Sequence, residues 1–286
     1  MEQLIGLFKS YLSVVGYSAG VQRTLPACVQ EFIYYSQVED MALVTPQDIA
    51  AFYEWLHIRP LKYREGALSN AMISHYVYAL RVLFDWLEAC GELVQNPVSV
   101  LRFKRYAPNS RKPLSVAEVQ RLFAAAESLR EQVLLHLFYS CGLRRSEGVA
   151  LQLSDVVIAG QVLYVRRGKN SKRRVIPLTR QVATALDRYI SKERYRVRQR
   201  GSAFMLNSKG GPMSGKSYLL LLRRIVTRAG LDQATSLHHL RHSIATHLLH
   251  AGAGLEYVRD FLGHSRLESS QIYAKAAITQ LPQLPE

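Results

Sequence analysis

At 286 residues and 48% apolar content the chain exceeds what one ordinary core needs, so two domains are expected. No apolar run approaches the ~20 residues of a spanning helix, the N-terminus begins Met1-Glu2-Gln3 without a cationic n-region, and the 3 cysteines (Cys28, Cys90, Cys141) lack disulfide or metal spacing. These features argue against a membrane or secreted protein, predict a cytoplasmic one, and make the cysteines buried apolar residues.

The formal charge of +15 suggests a polyanionic partner, and its distribution is uneven: residues through Tyr106 carry 9 Lys+Arg against 10 Asp+Glu, the remainder 28 against 12. In chain order, Thr45-Pro46-Gln47-Asp48 marks a helix start, with Thr45 as cap and Pro46 in the first turn. Val77, Leu80, Val82-Leu83-Phe84 and Leu87 recur at helical spacing until Gly91, ahead of Asn96-Pro97. A helical domain over 1–104 follows. Residues 105–113 have no hydrophobic period, contain Pro108 and Pro113 among several cations, and read as a basic linker. Ser115-Val116-Ala117-Glu118 forms a capping box opening a second domain, 114–286, and an apolar run from Val133 to Phe138 leads into Leu143. Gln161 to Arg167 and Arg173 to Leu178 alternate as strands, joined by the loop Gly168-Lys169-Asn170-Ser171-Lys172, and the chain beyond Leu178 returns to helical patterning. The expected fold is mainly α with a small β-hairpin.

Several residues carry potential chemistry. Arg144 and Glu147 stand at i and i+3, one helical face, where a carboxylate can orient a guanidinium; alone, this is also the pattern of a surface ion pair. His238 and Arg241 share a helical face while Leu240, Ile244 and Leu248 line another, so a His/Arg face can look into a cleft. The alternatives are a solvated histidine-rich helix, or a metal bound by His238 and His242, for which a third ligand is missing. Lys169 lies in a cationic turn, Gly263 reads as a helix C-cap with His264 just beyond, and Tyr273 follows nine residues later.

In this order and spacing, Arg144 with Glu147, Lys169, His238-x-x-Arg241, Gly263-His264 and Tyr273 resemble the signature of the tyrosine recombinase (phage integrase) family. The resemblance extends over the chain: Leu68-Ser69, Tyr78-x-x-Leu80-Arg81 and Asn96-Pro97 are similar to the family's helical core-binding domain, and the second half to its mixed α+β catalytic domain. It implies a site-specific recombinase that cuts and rejoins DNA through a 3′-phosphotyrosine and a Holliday junction, in integration, excision or resolution. Tyr273 would attack the phosphate, Arg144 and Arg241 would stabilise its charge, Lys169 would protonate the leaving 5′ oxygen, His238 would assist proton transfer, His264 would donate a hydrogen bond, and Glu147 would orient the arginine side. Arg81, Lys104, Arg105, Lys172, Arg173 and Arg174 are assigned to DNA contact. The implied partners are double-stranded DNA bearing a recombination site and further copies of the chain, a dimer per site and a tetramer in synapsis; no cofactor or metal is implied. Arg145, Gly148 and Leu237 depart from the common pattern, and the short tail after Tyr273 suggests a compact Xer-like member from a mobile element. Two rivals are a type IB topoisomerase and a noncatalytic DNA-binding protein of the same fold.

Overall fold

The structure, a computed structural model, describes residues 1–61, 65–104, 112–166, 173–196 and 201–263. Contacts divide the chain into two compact units, Met1–Ser110 and Arg111–Glu286.

The first unit is built from α1 (Glu2–Val14), α2 (Ala19–Ser36), α3 (Pro46–Ile58) and α4 (Asn70–Ala89). Helix α3 starts where Thr45 and Asp48 close a reciprocal capping box, with Pro46 in the first turn, and α4 gives way to Gly91 at φ 76°. Phe8, Leu25, Phe32, Phe52, Leu83 and Phe84 are fully buried between these helices. Edge-to-face packing of Phe32 on both Phe52 and Phe84 fixes the centre of this core. Cys28 is buried as expected, but Cys90 is exposed, because the helix ends beneath it and leaves it at the C-cap.

The second unit contains α5 (Val116–Ala124), α6 (Leu129–Leu135), α7 (Arg145–Ala150), a three-stranded antiparallel sheet, α8 (Arg180–Arg188), α9 (Gly215–Arg228), α10 (Leu237–His250) and α11 (Leu255–Leu262). The Ser115/Glu118 capping box opens α5. Strands β1 (Val156–Val157), β2 (Val162–Val165) and β3 (Arg174–Pro177) lie in that order, with Leu163 opposite Ile176 and Val165 opposite Arg174. The hairpin matches its sequence pattern; β1 was not anticipated, since two residues cannot establish a period. Helix α6 runs into a wide π-type turn, His136–Ser140, which ends at Cys141 and Gly142. Leu134, Leu137, Phe138, Leu163, Ile176, Leu222 and Leu240 fill this unit's core. No described helix is long and apolar enough to cross a membrane.

Candidate active site

Three segments converge on one buried carboxylate. Glu147 is 3% exposed and lies in the first turn of α7. The sequence suggests a pair on one helical face; instead, Arg144 is the N-cap of α7, with extended backbone, and its own N–H donates to Glu147 Oε2 at 2.8 Å. Its guanidinium returns to Oε1 of the same carboxylate at 2.7 Å. Across from it, Arg174 at the start of β3 donates from both terminal nitrogens to Glu147, at 2.9 and 2.8 Å, the two-pronged geometry that only a guanidinium offers. The third cation, Arg241 of α10, lies 4.0 Å from Glu147 Oε2 and is 1% exposed.

These three guanidiniums also divide the end of α11 among themselves. Arg174 donates to the carbonyl of Phe261 at 2.9 Å, Arg241 to that of Leu262 at 2.6 Å, and Arg144 to that of Gly263 at 2.7 Å. A helix leaves its last carbonyls without intrahelical partners, and they form the negative end of its dipole. Three cations on successive carbonyls therefore satisfy that terminus while the terminus orients them. Gly263 turns the chain at φ 65°, a conformation that favours glycine, and a Cβ there would crowd an Arg174 nitrogen at 3.1 Å. Arg241 also donates to the Gly142 carbonyl; Gly142 itself has φ 57°, and a Cβ on it would stand 2.8 Å from Leu262 Cδ2.

Burial alone would raise the pKa of Glu147, but the hydrogen bonds and charges of Arg174 and Arg144 outweigh it and hold the carboxyl down at about 2. It stays ionised throughout the physiological range. His238, in the first turn of α10, is exposed as a residue, yet protein packed around its ring disfavours the imidazolium. Arg241 and Arg144 add repulsion, and the pKa falls below the ordinary histidine value. The same coupling places His238 within electrostatic reach of both arginines. His238 and Arg241 differ in depth: the histidine is exposed and the arginine is buried.

Arg174, expected at the DNA surface, is spent on Glu147 and Phe261, with its side chain 8% exposed. The signal was in the strand period: Arg174 shares a face with Ile176, which is fully buried. Arg173 points the other way and is exposed, as are Arg81, whose guanidinium stacks over Phe103 at 5.7 Å, and Lys104. Lys169, Lys172, Arg105, His264 and Tyr273 lie outside the described residues. Among the described residues no cluster of three or more His, Cys, Asp or Glu side chains could hold a metal. The unusual Gly148 is explained by packing, since a Cβ would stand 2.6 Å from Phe138 Cζ; the Arg145 stem lies against Gly215, and Leu237 is buried.

The family model for the phage integrase family matches residues 112–279, more than half of the chain. The chain belongs to the phage integrase family. The chain is 32% identical to tyrosine recombinase XerC 2 of Ralstonia nicotianae, over 94% of its own length and 80% of the relative's. It is 28% identical to tyrosine recombinase XerD of Listeria monocytogenes, over 96% and 94%. Its fold matches the lambda integrase dimer bound to a COC′ core site with a TM-score of 0.79 at 17% identity, covering 100% and 99% of the two chains. The Tn1549 transposon integrase with a circular intermediate DNA matches with a TM-score of 0.74 at 18% identity, covering 97% and 99%. It is thus a tyrosine recombinase of the Xer-like kind, mainly helical with a small sheet.

Proposed function

We propose that this protein cuts and rejoins DNA at specific sites through a 3′-phosphotyrosine on Tyr273, passing through a Holliday junction. The observation that carries the reading is the charge balance around Glu147. Among the described residues three guanidiniums, Arg144, Arg174 and Arg241, are set against one carboxylate, an excess of two positive charges. A phosphodiester carries one negative charge and its five-coordinate transition state about two. Fixed cations held by backbone carbonyls stabilise that developing charge without rearranging during the reaction. Among the described residues two of the Arg144 guanidinium hydrogens are engaged, one on Glu147 and one on Gly263, so the same fork has further donors to offer a phosphate.

Burial and the nearby Arg241 and Arg144 lower the pKa of His238, which favours the neutral ring whose lone pair can accept the tyrosine proton. Lys169 would protonate the leaving 5′ oxygen and His264 would donate to a nonbridging oxygen. Glu147 and Arg174 hold this machinery in place without touching DNA. Arg81, Lys104, Arg105, Lys172 and Arg173 are read as phosphate contacts, in keeping with related folds solved on DNA, including XerH recombinase on a difH substrate. The protein would work in the cytoplasm as a dimer on each site and a tetramer in synapsis, in integration, excision or resolution.

The test is a plasmid carrying two copies of a site selected from genomic fragments by cleavage. Wild-type protein should change the connectivity of the flanking DNA, and Tyr273→Phe should bind without doing so. A change in linking number alone would instead make the protein a topoisomerase.

A further inference from the structure

The chain enters the second unit across the back of the helix that carries His238 and Arg241. Three side chains of α10, spaced i, i+4 and i+8, grip the extended residues Lys112–Leu114. His239 Nε2 bonds the carbonyl of Lys112 at 2.5 Å, Ser243 Oγ accepts from the N–H of Leu114 at 2.8 Å, and His247 Nε2 bonds the carbonyl of Leu114 at 2.8 Å. The Ser243 and His247 links are each closed by a second one. Ser243 passes its own proton to the carbonyl of His239 at 2.8 Å and is fully buried. Because a carbonyl can only accept, His247 Nε2 must carry the ring proton, so Nδ1 accepts from Tyr139 at 2.8 Å.

At about 100° per residue, the direction of Ser243 and its neighbours lies roughly opposite to that of His238 and Arg241. Helix α10 is therefore held on one face by the incoming chain, while its other face supplies the site. A slide or rotation of α10 that breaks the grip displaces both functional side chains together.

We infer that Ser243 and His247 are positioning residues for phosphoryl transfer: by fastening α10 to Lys112–Leu114 they set the register of His238 and Arg241. The inference rests on the recombinase reading. Ser243 and His247 are both buried within the protein, so loss of their bonds should appear in the chemical step and not in binding. A displacement on the order of 1 Å at reacting groups can cost as much as 100-fold in rate.

The experiment measures single-turnover formation of the covalent adduct on a nicked duplex bearing the selected site, using full-length protein well below its melting temperature. Ser243→Ala should slow adduct formation at least 10-fold with the dissociation constant for the same duplex unchanged within twofold. Ser243→Thr, which keeps the hydroxyl and its bond to the preceding turn, should restore the rate. As a second pair, His247→Leu should slow the step, while His247→Gln, which keeps a donor near Nε2, should retain most of it. The effect should also be non-additive: in a His238→Gln background, where only the displacement of Arg241 still counts, the further loss from Ser243→Ala should be smaller than in wild type. A lowered melting temperature with an unchanged rate would overturn the inference and leave the grip purely structural, as would a fully additive loss. Absence of any adduct with wild-type protein would instead remove the recombinase reading and this inference with it.

Discussion

Glu147 shows how one residue's environment sets its task. Removing a carboxylate from water is unfavourable, and here Arg174 and Arg144 together more than reverse that cost, depressing the pKa from 4.5 to about 2. With the folded-state value depressed, the stabilisation is complete above the unfolded pKa and is lost as pH falls through the folded one. The stability difference between wild type and Glu147→Gln should thus be constant above pH ~5 and vanish between about 4.5 and 2, by urea titration at each pH. At about 1.4 kcal/mol per tenfold change in acidity, the difference is on the order of 3 kcal/mol. A difference that instead grew on acidification would contradict the assignment. Arg174→Lys cannot reproduce the two-pronged bond to Glu147 together with the Phe261 contact, so it should lower the melting temperature and slow cleavage. An Arg174→Lys variant of wild-type stability and rate would show that charge alone suffices.

At the scale of elements, what the sequence reveals depends on how local the cause is. The capping boxes at Thr45 and Ser115, the C-cap at Gly263 and the β2–β3 hairpin were all legible, because each is decided within a few residues. The pairing of Arg144 with Glu147 was legible but not the place of Arg144 as a helix cap, since i, i+3 spacing is shared by a helical face and a capping box. Invisible in the sequence were the carbonyls of Gly142, Phe261, Leu262 and Gly263, which every residue possesses and only the packing of α11 against β3 and α10 selects. Gly142 offers a test of that packing. Alanine there must adopt φ 57° and press on Leu262, so Gly142→Ala should lose about 1–3 kcal/mol of stability and disturb the carbonyl that Arg241 uses. The expected result is a lower melting temperature together with slower adduct formation; an unaltered rate would mean that Arg241 is positioned without that contact.

For the whole molecule, the basic excess beyond Tyr106 predicts which residues govern binding to DNA. Exposed Arg173 should contribute to counterion release and Arg174 should not, because its guanidinium is already committed within the protein. In a salt titration Arg173→Ala should flatten the slope of log affinity against log salt by about 0.9, while Arg174→Ala leaves it near the wild-type value. Equal flattening by both would return Arg174 to the DNA surface. The arginine cage supplies the charge that many phosphoryl-transfer enzymes take from metal ions. Its central consequence is a protein–DNA bond made without one. The most direct test incubates the full-length protein with a nicked duplex bearing its site in excess EDTA, digests the product, and maps the DNA-linked peptide by mass spectrometry. The account predicts a single adduct, on Tyr273, joined to a 3′ phosphate. An adduct on another residue, a 5′ linkage, or a reaction that stops in EDTA and resumes with Mg²⁺ would contradict it.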